Sequence, residues 1–138
     1  MLLVYKVPNK PTSGRVFVWR KIKKLGAILL HDSVWVLPAT RRTREQLRWL
    51  ANEIVELDGQ ATVWESLLTM GIDEEKLIAQ FTEAVDTQYA AILAGLKTKN
   101  RDLAALSRQY QQAKAQDYFS SELGRRVRDA LAANGGTK

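Results

Sequence analysis

Residues 15 to 42 read Arg-Val-Phe-Val-Trp-Arg-Lys-Ile-Lys-Lys-Leu-Gly-Ala-Ile-Leu-Leu-His-Asp-Ser-Val-Trp-Val-Leu-Pro-Ala-Thr-Arg-Arg, a basic helix running into an apolar hairpin with arginines behind it. At about 100° per residue, Val18, Trp19, Ile22 and Leu25 fall within one arc of roughly 120°. That arc reads as a core-facing stripe. Arg20, Lys21, Lys23 and Lys24 spread over the opposite side, with Val16 and Phe17 among them. Lysines in the last turn complement the helix dipole, and Gly26 suits a left-handed stop. The dipole leaves Phe17 unexplained: either a loop covers it, or it belongs to a contact surface.

Working outward, Ala27–Leu30 and Val34–Leu37 are apolar runs of strand length, and His31-Asp32-Ser33 is the turn between them, so a β-hairpin is expected. Pro38 stops its second strand. Upstream, Leu2–Val7 reads as a strand ended by Pro8, and Thr12 or Ser13 is placed to cap the first helix. Downstream, Thr40 opens a helix to about Leu57, with Leu47, Leu50, Ala51, Ile54 and Leu57 at helical spacing. Asp58-Gly59 ends it and Ala61–Leu67 supplies another strand. The order βαββαβ predicts an α+β fold, a ferredoxin-like antiparallel sheet with two helices on one face, over residues 1–70.

From Asp73 the composition turns to alanine, leucine and glutamine without a strand signal. Asp73 caps a long helix carrying Leu77, Phe81, Val85, Tyr89, Ile92 and Leu96. A second helix holds Leu103, Leu106, Tyr110 and Ala113, and a third Leu123, Val127, Ala130 and Leu131. Residues 71–138 are therefore expected to form a helical subdomain of about three helices packed on the first, with Asn134-Gly135-Gly136 fraying at the end.

A chain of 138 residues without cysteine has neither disulfides nor thiolate metal sites, and one histidine makes a histidine-based metal cluster implausible. No segment is long and apolar enough for a membrane span, and Met-Leu-Leu-Val-Tyr-Lys lacks the positive start of a signal peptide; a cytoplasmic protein is expected. The net charge of +6 is uneven. Residues 1–49 carry eleven Lys or Arg against Asp32 and Glu45, whereas residues 50–138 carry ten bases and thirteen acids. A front half at +9 beside a remainder at −3 calls for an anionic partner, nucleic acid being the commonest.

Arg41, Arg42 and Arg44 occupy the first turn of the second helix, where positive charge opposes the dipole. That placement is tolerated if helix-terminal amides and arginines together hold phosphate. The expected nucleic-acid surface is thus Arg15, Arg20, Lys21, Lys23, Lys24, Arg41, Arg42 and Arg44. Trp19 and Trp35 lie on apolar stripes and are expected in the core, their indole N–H groups needing partners. Trp49 falls roughly 200° from Leu47 and should be exposed, an interface anchor alongside Phe17. Trp64 and Val63 point to opposite sheet faces. His31-Asp32-Ser33 cannot form a triad within one tight turn, Asp86 and Asp117 lack a partner at metal spacing, and no glycine-rich phosphate loop is present. No enzyme, metal or cofactor is expected.

Tyr5-Lys6-Val7-Pro8, Arg15 to Trp19, Leu25-Gly26-Ala27, Asp32 to Pro38 and Leu47 to Ile54 resemble the N-terminal domain family of ChrB, a chromate-resistance regulatory protein. Phe81, Asp86, Tyr89 and Asp117-Tyr118-Phe119 look like that domain's helical half. More distantly, the first half is similar to the middle domain of PaaX repressors and to the dimeric ferredoxin-like subunit of CRISPR adaptation. The resemblance implies a DNA-associated regulator of chromate response, binding duplex DNA as a homodimer. Full-length members of that family carry a further C-terminal domain tied to the chromate response, and these residues stop before it. Nuclease-type members of the CRISPR subunit carry an acid at the end of strand one; Tyr5-Lys6-Val7 stands here, so nuclease activity is not carried over. An interaction module without DNA binding, or an oxyanion (chromate) sensor, is the alternative.

Overall fold

The computed structural model describes residues 1–135, which divide into two units, Met1–Gly71 and the residues from Ile72 onward. The first unit runs β1 (Leu2–Lys6), α1 (Thr12–Lys24), β2 (Ile28–His31), β3 (Val34–Val36), α2 (Arg41–Glu56) and β4 (Gln60–Trp64). The strands form one antiparallel sheet in the order β2-β3-β1-β4. This is the expected ferredoxin-like arrangement, with β1 between two strands that follow it in sequence.

Alternation along the strands sorts the two faces. Leu3 is fully buried and pairs with Trp35 on one side and Val63 on the other. This row faces the helices, whose buried residues are Val18 and Ile22 from α1 and Leu47, Leu50 and Ile54 from α2. The adjacent row, Trp64–Leu2–Val36–Ile28 in register, belongs to the opposite face. Trp64 is accordingly exposed, and its indole N–H donates to Thr62 Oγ1 at 2.7 Å. Trp35 is buried as expected, but its indole N–H has no acceptor among the described residues.

Local signals set the element ends. Pro11 is the residue before α1, and no side chain caps that helix: Thr12 and Ser13 are its first helical residues rather than its cap. Gly26, at φ +80°, takes the left-handed conformation that a side chain would resist. The hairpin turn is tighter than expected, because His31 still belongs to β2 and Asp32 alone carries the positive φ. α2 opens with a reciprocal capping box in which Thr40 Oγ1 accepts from the Thr43 amide (3.0 Å) and Thr43 Oγ1 accepts from the Thr40 amide (2.9 Å). Thr43 Oγ1 also donates to Pro38 O at 2.6 Å. β4 ends at Trp64, three residues before the expected Leu67.

The second unit contains α3 (Glu74–Leu96), α4 (Leu103–Ala115) and α5 (Glu122–Ala133). Asp73 caps α3 by accepting from the Glu75 amide at 3.1 Å, and Glu74 and Glu75 sit where the dipole favours them. The core is a continuous cluster from Val85 to Leu96 on α3, Leu106 to Ala113 on α4, and Val127 and Leu131 on α5. Gly136, the last residue of the expected fraying end, lies outside the described residues.

One polar network ties the α4–α5 connection to α3. Tyr89 Oη donates to Asp117 Oδ2 at 2.9 Å, the Ser121 amide donates to the same carboxylate at 3.0 Å, and Ser121 Oγ donates to Asp86 Oδ1. Phe81 closes the end of the cluster against Tyr118 and Phe119, with ring centroids 6.1 and 5.8 Å away. Gly124 is required by this packing, since a Cβ there would lie 2.7 Å from the Tyr89 ring, a rigid neighbour with nowhere to move.

Burial first, then the Asp117 acceptor, pushes the Tyr89 phenol well above its ordinary pKa. Folded Tyr89 keeps its proton where the unfolded chain, titrating near about 10, has lost it. The stabilisation is therefore complete below that pH and declines as pH rises beyond it. Thermal melts of the chain between pH 8 and 11 should show that decline. In Tyr89→Phe the melting temperature should start lower, by the loss of one hydrogen bond, roughly 1 kcal/mol, but the alkaline slope should flatten. An unchanged slope would exclude Tyr89 as its source.

Candidate functional site

Burying Val18 and Ile22 fixes the rotation of α1, and the rest of the helix then presents two further stripes. Thr12, Arg15, Val16, Trp19 and Arg20, spaced by three and four, line a cleft of about 600 Å³ together with Tyr5, Lys6, Val7, Asn9 and Ser33. Three of these lining residues are cations and none is acidic. Trp19, expected in the core, is 52% exposed and forms part of this wall. The misplacement is a matter of arc width. Trp19 lies 100° from Val18 and 60° from Ile22, at the rim of a stripe that the sheet covers only at its centre.

The other stripe turns toward the end of α2. Ser13, Gly14 and Phe17 face Glu53, Glu56 and Leu57 across a smaller groove of about 340 Å³. Phe17 is half-buried, in the wall of that groove. Lys21 Nζ stands 5.5 Å from the Phe17 centroid and Lys23 Nζ 5.9 Å from that of Trp19, both within cation–π range. The two sides of α1 differ in sign as a result. The Phe17 side mixes lysine with two glutamates, whereas the Trp19 side is cationic throughout.

The arginines of α2 are differently engaged. Arg44 is ion-paired with Glu65, which raises the guanidinium pKa and holds the Glu65 carboxyl below its ordinary range. Arg41 Nε lies 3.7 Å from Glu45 Oε1, an i,i+4 pair on the helix surface. Arg42 is exposed in the same turn. The Thr43 amide is taken by Thr40, so that part of the helix terminus is not open to a phosphate. Among the described residues Lys6, Arg15 and Arg20 have no ion-pair partner. Lys24 is exposed at the end of α1, and Trp49, at 71% exposure, stands in solvent as expected.

Of the eight expected cations, the structure places Arg15 and Arg20 on one cleft, with Lys23 beside it over Trp19. It ties Arg41 and Arg44 to the chain's own acids. Lys6, Tyr5, Asn9 and Ser33 were missed, because β1, the following loop and the hairpin turn meet α1 only in three dimensions. The stripe Thr12–Arg15–Val16–Trp19–Arg20–Lys23 was present in the sequence at helical spacing, and it was masked by assigning Trp19 to the core. His31 and Asp32 form an exposed ion pair at 3.0 Å. Asp86 and Asp117 hold the fold of the second unit, and no group of three or more His, Asp or Glu among the described residues is arranged to hold a metal. No described helix is long and apolar enough to cross a membrane.

Unpaired cations around one cleft repel one another, so removing two of them should not weaken the fold. The double variant Arg15→Ala/Arg20→Ala should unfold within about 0.5 kcal/mol of the parent in chloride buffer. Millimolar phosphate at matched ionic strength should stabilise the parent, by about 1.4 kcal/mol at ten times the dissociation constant, and leave the variant unmoved. Equal stabilisation of both proteins would place phosphate elsewhere.

Comparison with known proteins agrees with the sequence resemblance. The family described as "Protein ChrB, N-terminal" matches residues 15–116. A curated relative, Protein ChrB of Cupriavidus metallidurans, is 30% identical over 106 residues, covering 75% of this chain and 32% of its own. The chain thus spans about a third of that relative's length. No solved structure matches. The matched residues include α1 from Arg15, the hairpin, α2, β4 and the second unit through α4, and the chain belongs to the ChrB N-terminal family.

Proposed function

We propose that this chain is a DNA-associated regulatory protein of the chromate response, gripping nucleic-acid phosphates through the cationic side of α1. The observation that carries the reading is the cleft in which Lys6, Arg15 and Arg20 stand without acidic neighbours in its lining. Water-exposed cations with no internal partner keep their full attraction for a polyanion, while Arg41 and Arg44 have part of theirs offset by Glu45 and Glu65. The role of the α2 arginines is therefore secondary, a flank to the α1 grip.

The mode of contact follows from topology. α1 is preceded by the strand β1 rather than by a first helix, so it is not the recognition helix, the second of the two, in a helix-turn-helix. Contacts would fall mainly on phosphates, which position a protein without reading sequence. Each neutralised phosphate releases condensed counterions, and Lys6, Arg15, Arg20, Lys21 and Lys23 would together give a log–log salt slope of about −3 to −5 per chain on duplex DNA. Fluorescence anisotropy with a duplex of a family-type promoter, across 50 to 250 mM salt, measures it. An affinity independent of salt would remove the proposal, and in Arg15→Ala/Arg20→Ala the slope should shrink by about two.

A second reading is favoured by Trp49, a residue 71% exposed among charged neighbours on the outer side of α2. Large exposed aromatics anchor protein interfaces, and the chain would use this one to pair with a second copy. Sedimentation velocity should then show a dimer that Trp49→Ala converts to monomer. A monomer at all concentrations, with or without the substitution, disposes of self-association through this face. An oxyanion-sensing role draws on the same cleft, and chromate competing with DNA at low millimolar concentration would point to it.

A further inference from the structure

An indole in the wall of a cationic cleft adds little to a grip on duplex phosphates, because the bases of a duplex are stacked on one another and out of reach. It adds a good deal for a strand whose bases are unpaired, since every base offers a face to stack on an aromatic ring while flanking phosphates meet the cations. Trp19 lines the cleft beside Arg15 and Arg20 on α1 and opposite the Lys6 end of β1. It is 52% exposed although α1 had buried positions to offer. Tyr5 is a second aromatic in the wall, and Asn9, Thr12 and Ser33 supply short polar groups at its edge. The cleft, at about 600 Å³, lies within the range of about 300–1,000 Å³ that holds a small-molecule-sized unit.

We infer that the cleft between α1, the β1 end and the hairpin turn is a single-strand nucleic-acid site, in which one unpaired base stacks on Trp19 and its neighbouring phosphates lie on Lys6, Arg15 and Arg20. This rests on the reading that the α1 side meets nucleic acid, and it names the strand state that the site selects. The ligand is a strand rather than a free nucleotide because the positive charge does not stop at the cleft. Lys23 stands over the Trp19 ring and Lys21 lies further round the helix, where only adjoining phosphates of a longer chain would meet them.

The test compares four labelled probes on the full chain by anisotropy at one salt concentration: a thymidine 12-mer, an abasic 12-mer of the same sugar-phosphate backbone, a 12-bp duplex, and thymidine monophosphate. The thymidine strand should bind at least about tenfold more tightly than the abasic strand. Trp19→Ala should weaken the thymidine strand by about 5- to 150-fold and leave the abasic strand and the duplex unchanged, while Trp19→Phe retains most of the affinity and Trp49→Ala all of it. Because Trp19 is half in solvent, Trp19→Ala should melt with the parent, which separates lost stacking from lost fold. Equal binding of thymidine and abasic strands, or a Trp19→Ala effect below twofold, overturns the stacking site while leaving duplex binding through phosphates intact. Monophosphate binding as tight as the 12-mer overturns the assignment to a strand. Absent duplex binding with Trp19-dependent single-strand binding present supports the stacking site and overturns the duplex reading alone.

Discussion

Burial of two residues, Val18 and Ile22, orients everything that α1 shows to solvent. Both are essentially inaccessible, and each contributes roughly 1.5–3 kcal/mol relative to exposure, far more than any exposed charge pair gains. The helix cannot rotate by one position without trading these for Trp19 or Lys23. Its remaining residues are therefore distributed by geometry alone: one side faces β1, the loop after it and the hairpin turn, and the other faces the end of α2. That the first side carries Arg15, Arg20 and Lys6 while the second meets Glu53 and Glu56 is what gives the unit a cationic side rather than a diffuse positive charge.

Net charge is a poor guide to such a surface, and the α2 arginines show why. Arg41, Arg42 and Arg44 are closer together in sequence than any other arginines at the front of the chain, and they sit where the dipole disfavours them. Folding supplies Glu45 one turn on and Glu65 beyond β4, so part of their charge is answered within the unit. The cleft cations Lys6, Arg15 and Arg20 are more dispersed in sequence, with no such answer in the cleft lining. A surface for a polyanion is better identified by where carboxylates are missing than by where arginines are dense.

Much of the first unit was legible because two periods do not resemble each other. The step of two in Leu2–Lys6 and Val34–Val36 and the step of 3.6 in Leu47–Leu50–Ile54 separate strand from helix without tertiary information, and their order leaves few topologies to consider. The site was less legible. Trp19 belongs to the buried stripe by angle and to the cleft by exposure, and only the width of sheet that α1 actually covers decides between them. Lys6, Asn9 and Ser33 come from three separate segments, so no local pattern joins them to Arg15. Pro11 taking the cap position ahead of Thr12 and Ser13 is a similar case, since three adjacent residues were all compatible with a helix start.

The second unit makes the same point from the polar side. In sequence Asp86 and Asp117 lacked a partner at metal spacing and had no evident role, because their separation hides that one serine joins them. Ser121 is buried, its amide meets Asp117 and its hydroxyl meets Asp86, and Asp117 also accepts from Tyr89. A carboxylate drawn into a core is costly unless donors surround it, and here the donors are the groups that fix the α4–α5 connection against α3. The carboxylates are thus engaged in holding helices together. Titratable groups that look alike in sequence divide by whether folding satisfies them: Asp86 and Asp117 are satisfied within the second unit, whereas Lys6, Arg15 and Arg20 line a cleft that contains no carboxylate.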